Sequence, residues 1–266
     1  MPIEATLLVL FSAVVHATWN LTLHVSADRV AAMAVAGFVS GVILLPTILF
    51  WAPWHAWRFI LLSAVAQTIY CRTLSAAYRS GSLAVAYPIA RGSAPLLVTI
   101  GGWIVLSEQP TIPVMIGAVC LGTGLVLVAI PKGREAQGQA IMWALLTGTA
   151  IASYSLIDAR AVKDVAAAPY LSAVFLLQGV LLTATLGGGW WTRLRSAAVP
   201  GTKIGFGSIG AYLLVVLAWQ RADAGRVATL REISILIGLV LSRTPFHWRS
   251  WIGASLVVVG AILASL

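Results

Sequence analysis

Charged side chains inside long apolar stretches are the residues of this sequence best placed to do chemistry. They are Arg72, Arg91, Asp158, Arg231 and Glu232. A charge at the centre of a membrane helix costs about 2.5 to 3.5 kcal/mol on insertion scales, so such residues face protein or a wet cavity. Arginines outnumber acids in this set. A spare guanidinium can therefore hold a carboxylate or a phosphonate, and the two acids are candidates for coupling that binding to protons.

Polar residues four positions apart lie one above the other on a helix, and such pairs mark candidate cavity walls. Three pairs occur: His16 with Asn20, Tyr87 with Arg91, and Tyr154 with Asp158. Pro88 and Pro95 bracket Arg91 and weaken the backbone hydrogen bonding near the middle of that segment, which suits a binding site or a hinge. The predicted solute-binding residues are His16, Trp19, Asn20, Tyr70, Arg72, Tyr87, Arg91, Tyr154, Trp219 and Arg231, with Glu232 and Asp158 as coupling residues.

Structural roles compete with functional ones for the charges in the middle of the segments. Arg91 and Glu232 fit two interpretations, a solute site or an ion pair that only fixes the packing of the two halves of the chain. Arg231 and Glu232 are adjacent and point about 100° apart on a helix, so they cannot both face one cavity directly. One of them is expected to pair sideways.

The remaining polar candidates also have simple structural explanations. Arg72 and Asp158 lie about one turn inside their segments, from where a side chain can reach the membrane interface. His16 with Asn20 one turn away is often an ordinary hydrogen bond between helices. No second histidine or cysteine has metal-ligand spacing, so no metal site is predicted. Motifs for a nucleophile, a bound phosphate or a redox cofactor are missing too, and we expect no cofactor and no enzymatic activity.

Composition places the chain in a membrane. Hydrophobic residues make up 60% of the 266 residues and charged residues only 9%, which would leave a soluble globule with too little polar surface. The net charge of +9 comes from basic residues scattered singly, which argues against a nucleic-acid partner. Cys71 and Cys120 both fall in apolar segments, so no disulfide is predicted. The N-terminus lacks the basic region of a cleavable signal peptide, and we expect the first helix to be retained.

Segments of about 20 apolar residues, the length that crosses a bilayer core of roughly 30 Å, predict ten transmembrane helices. They span residues 3–24, 30–51, 59–77, 83–106, 113–130, 140–162, 169–186, 204–219, 227–241 and 251–266. The connections are short and carry prolines, glycines or charges, so none forms a soluble domain. The predicted class is an all-α, multi-pass protein of the inner cell membrane.

Short matches between the two halves predict an internal repeat. Residues 16–20 match 151–155 and residues 106–110 match 241–245 at an offset of 135, and, one position out of step, Gly117 and Gly124 match Gly253 and Gly260. Each half holds five helices, and because five is odd the second half must enter the membrane inverted. The predicted domains are residues 1–135 and 136–266, the second with a shortened ninth helix.

The whole chain resembles the drug/metabolite transporters with paired EamA domains. The resemblance rests on residues 16–20 (His-Ala-Thr-Trp-Asn), on the run 87–95 around Arg91, on Glu108 and on the glycines of the fifth and tenth predicted helices. It implies a secondary transporter or exporter with a central cavity lined mainly by helices 1, 3, 4, 6, 8 and 9. The first helix also resembles a phosphonate-utilisation-associated branch. One departure is that Arg243 stands in the second half where the first half has Glu108.

These observations predict an exporter or exchanger of a small anionic or zwitterionic metabolite, such as an amino acid, that works by alternating access around a midplane cavity. The alternatives are a transporter of phosphonates or organic cations, or a membrane scaffold subunit that transports nothing. The expected partners are the lipid bilayer and a small solute, with proton coupling as a second expectation, in a monomer or homodimer. The family resemblance implies cytoplasmic termini, whereas the distribution of basic loop residues favours the reverse orientation.

Overall fold

A computed structural model describes residues 1–80, 83–129, 138–234, 237 and 248–265, and this part of the chain contains helices and no strands. Its α-helices are α1 (Ile3–His24), α2 (Arg29–Leu44), α3 (Trp57–Ser80), α4 (Leu83–Val105), α5 (Ile112–Ala129), α6 (Gly138–Ala161), α7 (Ala167–Ala184), α8 (Trp190–Ser196), α9 (Ala198–Trp219), α10 (Ala224–Arg231) and α11 (Trp248–Ser265). Two short 3₁₀ helices, Leu45–Leu49 and Trp54–Ala56, precede α3.

Several predicted helix boundaries differ from those observed, and prolines account for two of the differences. α2 ends at Leu44 instead of residue 51, because Pro46 has no N–H with which to continue the α-helical hydrogen bonding and the chain enters a 3₁₀ turn. α9 begins at Ala198, six residues before its predicted start. Pro200 lies in its first turn, where a missing N–H is tolerated. The segment before α9 is not a plain connection, because it forms the short helix α8 after Gly189.

The ninth predicted helix is represented by α10, which begins at Ala224 and ends at Arg231. Glu232 occupies its C-cap position, so the two adjacent charges lie at a helix end and not in the middle of a helix. The prediction extended this helix to residue 241. Residues 238–247 lie outside the described part of the chain.

Six of the described helical segments are long and apolar enough to cross a membrane. They are Ile3–Asn20, Arg29–Leu49, Trp54–Ala77, Gly138–Ala161, Ala167–Ala184 and Ala198–Trp219. Three shorter apolar helices, Ile89–Val105, Ile112–Leu127 and Trp251–Ala264, accompany them. Large apolar side chains such as Phe11, Trp103 and Phe206 point outward, as a lipid environment requires.

Close helix pairs build the core. α5 packs along α11, α3 and α4 pack on α6, α1 packs on α9, and α2 packs on both α7 and α9. Glycine lets α5 and α11 pack closely: a Cβ on Gly117 would lie 2.7 Å from the Gly260 carbonyl oxygen, so a larger residue would push the two helices apart. Hydrogen bonds also join helices, as where the Ser12 hydroxyl of α1 donates to the Ala211 carbonyl of α9 over 2.7 Å. These pairs surround a polar interior.

Candidate functional site

A cavity lies where seven of the helices meet. It measures about 60 Å³, room for the centres of several water molecules. Its polar lining residues are Ser12, His16, Gln67, Gln178, Ser208 and Arg231, and its aromatic ones are Trp19, Tyr70, Tyr154, Phe175 and Tyr212. The polar groups are few and the walls are largely aromatic, which is the usual composition of a small-molecule site.

Arg231 supplies positive charge to this cavity. It lies at the C-terminal end of α10 and is only 6% exposed. Its guanidinium carbon is 6.0 Å from the centre of the Tyr212 ring, and its side chain is within hydrogen-bonding reach of the Tyr154 hydroxyl. Its Nε is buried without a hydrogen-bond partner, and no carboxylate oxygen of the described residues lies within 4.0 Å of the guanidinium. The contacts with Tyr212 and Tyr154 thus offset part of the cost of removing Arg231 from water.

Arg91 and Glu232 form a buried ion pair beside this cavity. Arg91 Nε lies 3.0 Å from Glu232 Oε2, although the angle is too poor for a hydrogen bond between these two atoms. Arg91 Nη2 also donates to the Ser234 hydroxyl over 3.5 Å. Glu232 lines a second, smaller cavity of about 10 Å³, which it shares with Trp219 and Arg231. The pair joins α4 to the end of α10.

Asp158 is fully buried on α6 and is held by hydroxyl groups. Tyr170 donates to its Oδ1 over 2.6 Å, Tyr212 donates to its Oδ2, and Ser63 supplies a further hydrogen bond. Among the described residues no basic group lies within 4.0 Å of this carboxyl. Lys163, five positions further along the chain, donates to the Trp219 carbonyl over 2.6 Å. The alternative in which the Asp158 side chain reaches the membrane interface does not hold, because the residue is enclosed by tyrosines.

His16 connects α1 to the cavity. Its Nε2 shares a hydrogen bond of 3.1 Å with Asn20 Nδ2, where the donor depends on the tautomer of the ring. Its ring stands edge-to-face against Trp19, with the centres 4.7 Å apart. His16 and Trp19 face the cavity directly, whereas Asn20 supports His16 from one turn away.

The structure brings together five of the predicted solute-binding residues: His16, Trp19, Tyr70, Tyr154 and Arg231 all line the cavity. Trp219 lies next to them, because its ring packs edge-to-face on Tyr212 with the centres 5.9 Å apart. Arg72 is exposed on α3 and stays outside the cavity, because Cys71, one position before it, takes the buried face. The Tyr87 side chain lies outside the described residues.

The site predicted from the sequence did not include the uncharged polar residues of the cavity. Gln67 and Gln178 are both buried, where Gln67 donates to Ser63 over 3.1 Å and Gln178 contacts Cys71 Sγ at 3.6 Å. A side-chain amide within an apolar segment requires a hydrogen-bonding partner, so each glutamine could have been predicted from the sequence to face a polar interior. Tyr212 was harder to identify from the sequence, since tyrosine is common at membrane interfaces as well as in cavities.

Glu108, the acid on which part of the family resemblance rests, lies in the loop after α4. Both of its carboxylate oxygens lie 3.0 Å from the Ala224 backbone nitrogen, so Glu108 accepts from the first N–H of α10. Burial raises the pKa of the Glu108 carboxyl, while the hydrogen bond from Ala224 opposes that rise. This contact links the loop after α4 to the start of α10.

Comparisons with known proteins give one curated relative and a shared fold. No family model matches the chain. The chain is similar to the uncharacterized transporter YwfM of Bacillus subtilis (strain 168), with 26% identity over 221 residues, 79% of this chain and 74% of that protein. A solved protein crystal structure superimposes with a TM-score of 0.76 at 19% identity, over 98% of both chains, which shows a common fold alone. Together with its apolar helices, the similarity to a transporter makes the chain a multi-pass membrane protein, and the part of it that the structure describes is all-helical.

Proposed function

We propose that this protein is a secondary membrane transporter that binds a small anionic or zwitterionic solute at Arg231 and moves it by alternating access. The observation that carries the proposal is the buried guanidinium of Arg231, which faces a cavity and has no acid of the described residues within 4.0 Å. An ionised group removed from water without a counter-charge is costly, and a bound carboxylate or phosphonate would supply that charge. The similarity to a protein named as a transporter supports the same class of function.

The rest of the cavity suits the body of such a solute. Aromatic walls offer apolar surface, and the amides of Gln67 and Gln178 can each donate or accept hydrogen bonds. The positive charge of Arg231 would repel an organic cation, so we expect anions and zwitterions to be better substrates than cations. Amino acids and phosphonates both carry the anionic group that this site needs.

We infer that the fold is a ten-helix inverted repeat, with one half ending near residue 135. Contacts between α5 and α11 support the inference. A Cβ on Gly124 would lie 2.6 Å from the Gly253 carbonyl, and a Cβ on Gly260 would lie 2.5 Å from the Gly117 carbonyl. Since Gly117 corresponds to Gly253 and Gly124 to Gly260, the two contacts are reciprocal, as around a twofold axis.

The larger packing pattern supports the repeat as well. If α1, α2, α3, α4 and α5 correspond to α6, α7, α9, α10 and α11, each major helix pair has a counterpart. The α1–α9 pair then corresponds to α6–α3, and α2–α9 corresponds to α7–α3. Likewise α4–α6 corresponds to α10–α1, and α4–α5 to α10–α11. The α2–α7 and α5–α11 pairs each correspond to themselves, as expected for pairs on the symmetry axis. Membership of the drug/metabolite transporters with EamA domains, and of their phosphonate-associated branch, remains a proposal that rests on the resemblance.

Binding measurements on purified protein test the function. A thermal-shift screen against L-amino acids, alkylphosphonates and quaternary ammonium ions would first identify a ligand. For that ligand, Arg231→Gln should weaken binding at least about tenfold, as expected for loss of a charge-assisted hydrogen bond worth roughly 1.5 to 3 kcal/mol. Transport into proteoliposomes should fall in parallel.

Arg72→Gln is the matched control, because it removes an arginine that is exposed and lies outside the cavity. It should bind and transport as the wild type does. Arg231→Lys should keep part of the binding, since it keeps the charge. Equal binding and transport by wild type and Arg231→Gln would contradict the proposal. A membrane scaffold predicts that no solute of the screen binds at all.

A further inference from the structure

Tyr212 contacts both the cation of the cavity and the nearest buried acid. Its hydroxyl donates to Asp158 Oδ2, while its ring forms part of the cavity wall and lies 6.0 Å from the guanidinium carbon of Arg231. Tyr170 also donates to Asp158, at Oδ1 over 2.6 Å, but it is not one of the residues that line the cavity. Tyr212 therefore touches Arg231, Asp158 and the cavity at once.

Few charged or titratable groups face Asp158 from the elements around it. Tyr170 from α7 and Tyr212 from α9 donate to it, and Tyr154 from α6 itself interacts with it electrostatically. Arg91 from α4 and Arg231 from the end of α10 act in turn on Tyr154. α3 adds the uncharged hydroxyl of Ser63. Arg91 and Glu232 cancel each other as an ion pair. Among these described groups, Arg231 therefore holds the charge that a solute would change.

We propose that Asp158 binds a proton together with the solute anion at Arg231, and that Tyr212 links the two events; this rests on the function proposed above. An anion at Arg231 neutralises the guanidinium and brings negative charge toward Asp158, which makes the carboxylate less favourable there. A hydronium ion then gives its proton to Oδ2, where an O–H bond forms, and becomes water. The new O–H donates to the Tyr212 oxygen, and the Tyr212 hydroxyl turns to donate to the anion.

The linkage is reciprocal and fixes the direction of coupling. If the anion favours proton binding by some factor, the proton favours anion binding by the same factor. Anion and proton are then carried together in the same direction, and an inward proton gradient drives uptake. This differs from the export that the family resemblance implies.

Benzoate is a suitable probe, because it joins a carboxylate to an apolar ring that the aromatic walls can accept. Its affinity for the purified protein is measured by calorimetry over a series of pH values. The affinity should rise as pH falls, by up to about tenfold for each pH unit, since one proton binds with each anion. Infrared difference spectra should show a protonated carboxyl band that grows on benzoate addition and is missing from Asp158→Asn.

Three variants separate the linkage from a structural role. Asp158→Asn mimics the protonated acid, so its affinity should no longer change with pH and should match the highest wild-type value. Tyr212→Phe should lose most of the pH slope. Tyr170→Phe is the matched control: it removes the other tyrosine donor of Asp158 and should keep the slope.

Several results would overturn the inference. Benzoate affinity that does not change with pH in the wild type would do so, as would a slope that persists in Asp158→Asn and disappears in His16→Gln. A full slope in Tyr212→Phe would remove Tyr212 from the linkage. These outcomes leave the proposed function standing, whereas failure to bind benzoate and every solute of the screen overturns both.

Discussion

Two buried acids of this protein are stabilised in different ways. Glu232 lies beside a guanidinium, with Oε2 3.0 Å from Arg91 Nε, and the pair carries no net charge. Asp158 is equally buried but is surrounded by the hydroxyls of Tyr170 and Tyr212. A guanidinium needs its partner to stay ionised, whereas a hydroxyl can donate to a carboxylate or accept from a carboxylic acid.

The difference suggests two roles for a buried acid: Glu232 keeps its charge to hold the structure together, whereas Asp158 can gain or lose a proton. At Glu232 the ion pair joins α4 to the end of α10, so changing the charge of either residue leaves its partner buried without compensation. At Asp158 the hydroxyls can adapt to either protonation state without moving their oxygen atoms. The first region is therefore expected to fix the fold, and the second to respond to the cavity beside it.

The largest expected effect comes from breaking the ion pair. Arg91→Gln should lower the free energy of unfolding by about 3 to 5 kcal/mol, because it leaves the Glu232 carboxylate buried without its guanidinium. Unfolding in detergent micelles by a chemical denaturant measures the change.

The double variant Arg91→Gln with Glu232→Gln is the control for this prediction. It removes both charges, so a substantial part of the lost stability should return. A double variant that is as unstable as the sum of the two single variants would mean that the charges do not interact.

Replacing Asp158 should change the stability much less than replacing Arg91. Asp158→Asn should change the free energy of unfolding by less than about 1 kcal/mol, because it leaves no cation unpaired and the amide can accept from one tyrosine and donate to the other. The same denaturant titration measures it. A loss as large as that of Arg91→Gln would show that Asp158 also has a counter-charge, and the comparison would fail.

Apolar segments were enough to predict most helices, as α1 shows by its exact agreement with residues 3–24. Hydrophobicity alone was a poor guide where backbone chemistry intervened. Pro46 ended α2 seven residues early, and the Trp- and Arg-containing segment after Gly189 formed a helix of its own. Such short helices carry too little apolar sequence to be distinguished from a loop.

For the site, the positions of charges within apolar segments predicted the burial of Arg91, Asp158 and Arg231, but not which residues share a cavity. Arg91 and Arg231 read alike in the sequence, yet one is paired with Glu232 and the other faces the cavity. Arg72 also read like a site residue and is exposed, since a difference of one position turns a helical side chain by about 100°. The tyrosine partners of Asp158 come from α7 and α9, and such contacts between distant segments leave no local pattern.

The smallest expected effect concerns a third acid, Glu108, which accepts from a backbone N–H at the start of α10. Burial raises the pKa of Glu108 in the folded protein, so the folded state binds a proton more readily than the unfolded chain does. Stability should therefore rise as pH falls through the folded pKa, and the gain should be complete below the unfolded pKa of about 4.3. Because Glu108 is only partly buried, we expect a gain of a few tenths of a kcal/mol.

Thermal unfolding over a pH series, compared between wild type and Glu108→Gln, isolates this contribution. Glu108→Gln cannot titrate, so the difference between the two curves should narrow steadily toward acid pH. Glu4→Gln provides the control, because Glu4 is an exposed acid that pairs with Arg221 over 3.5 Å at the protein surface. A difference that widens toward acid pH would mean that the N–H of α10 stabilises the Glu108 carboxylate more than burial destabilises it. The N–H of α10 would then act on Glu108 as the Arg91 guanidinium acts on Glu232, by favouring the carboxylate.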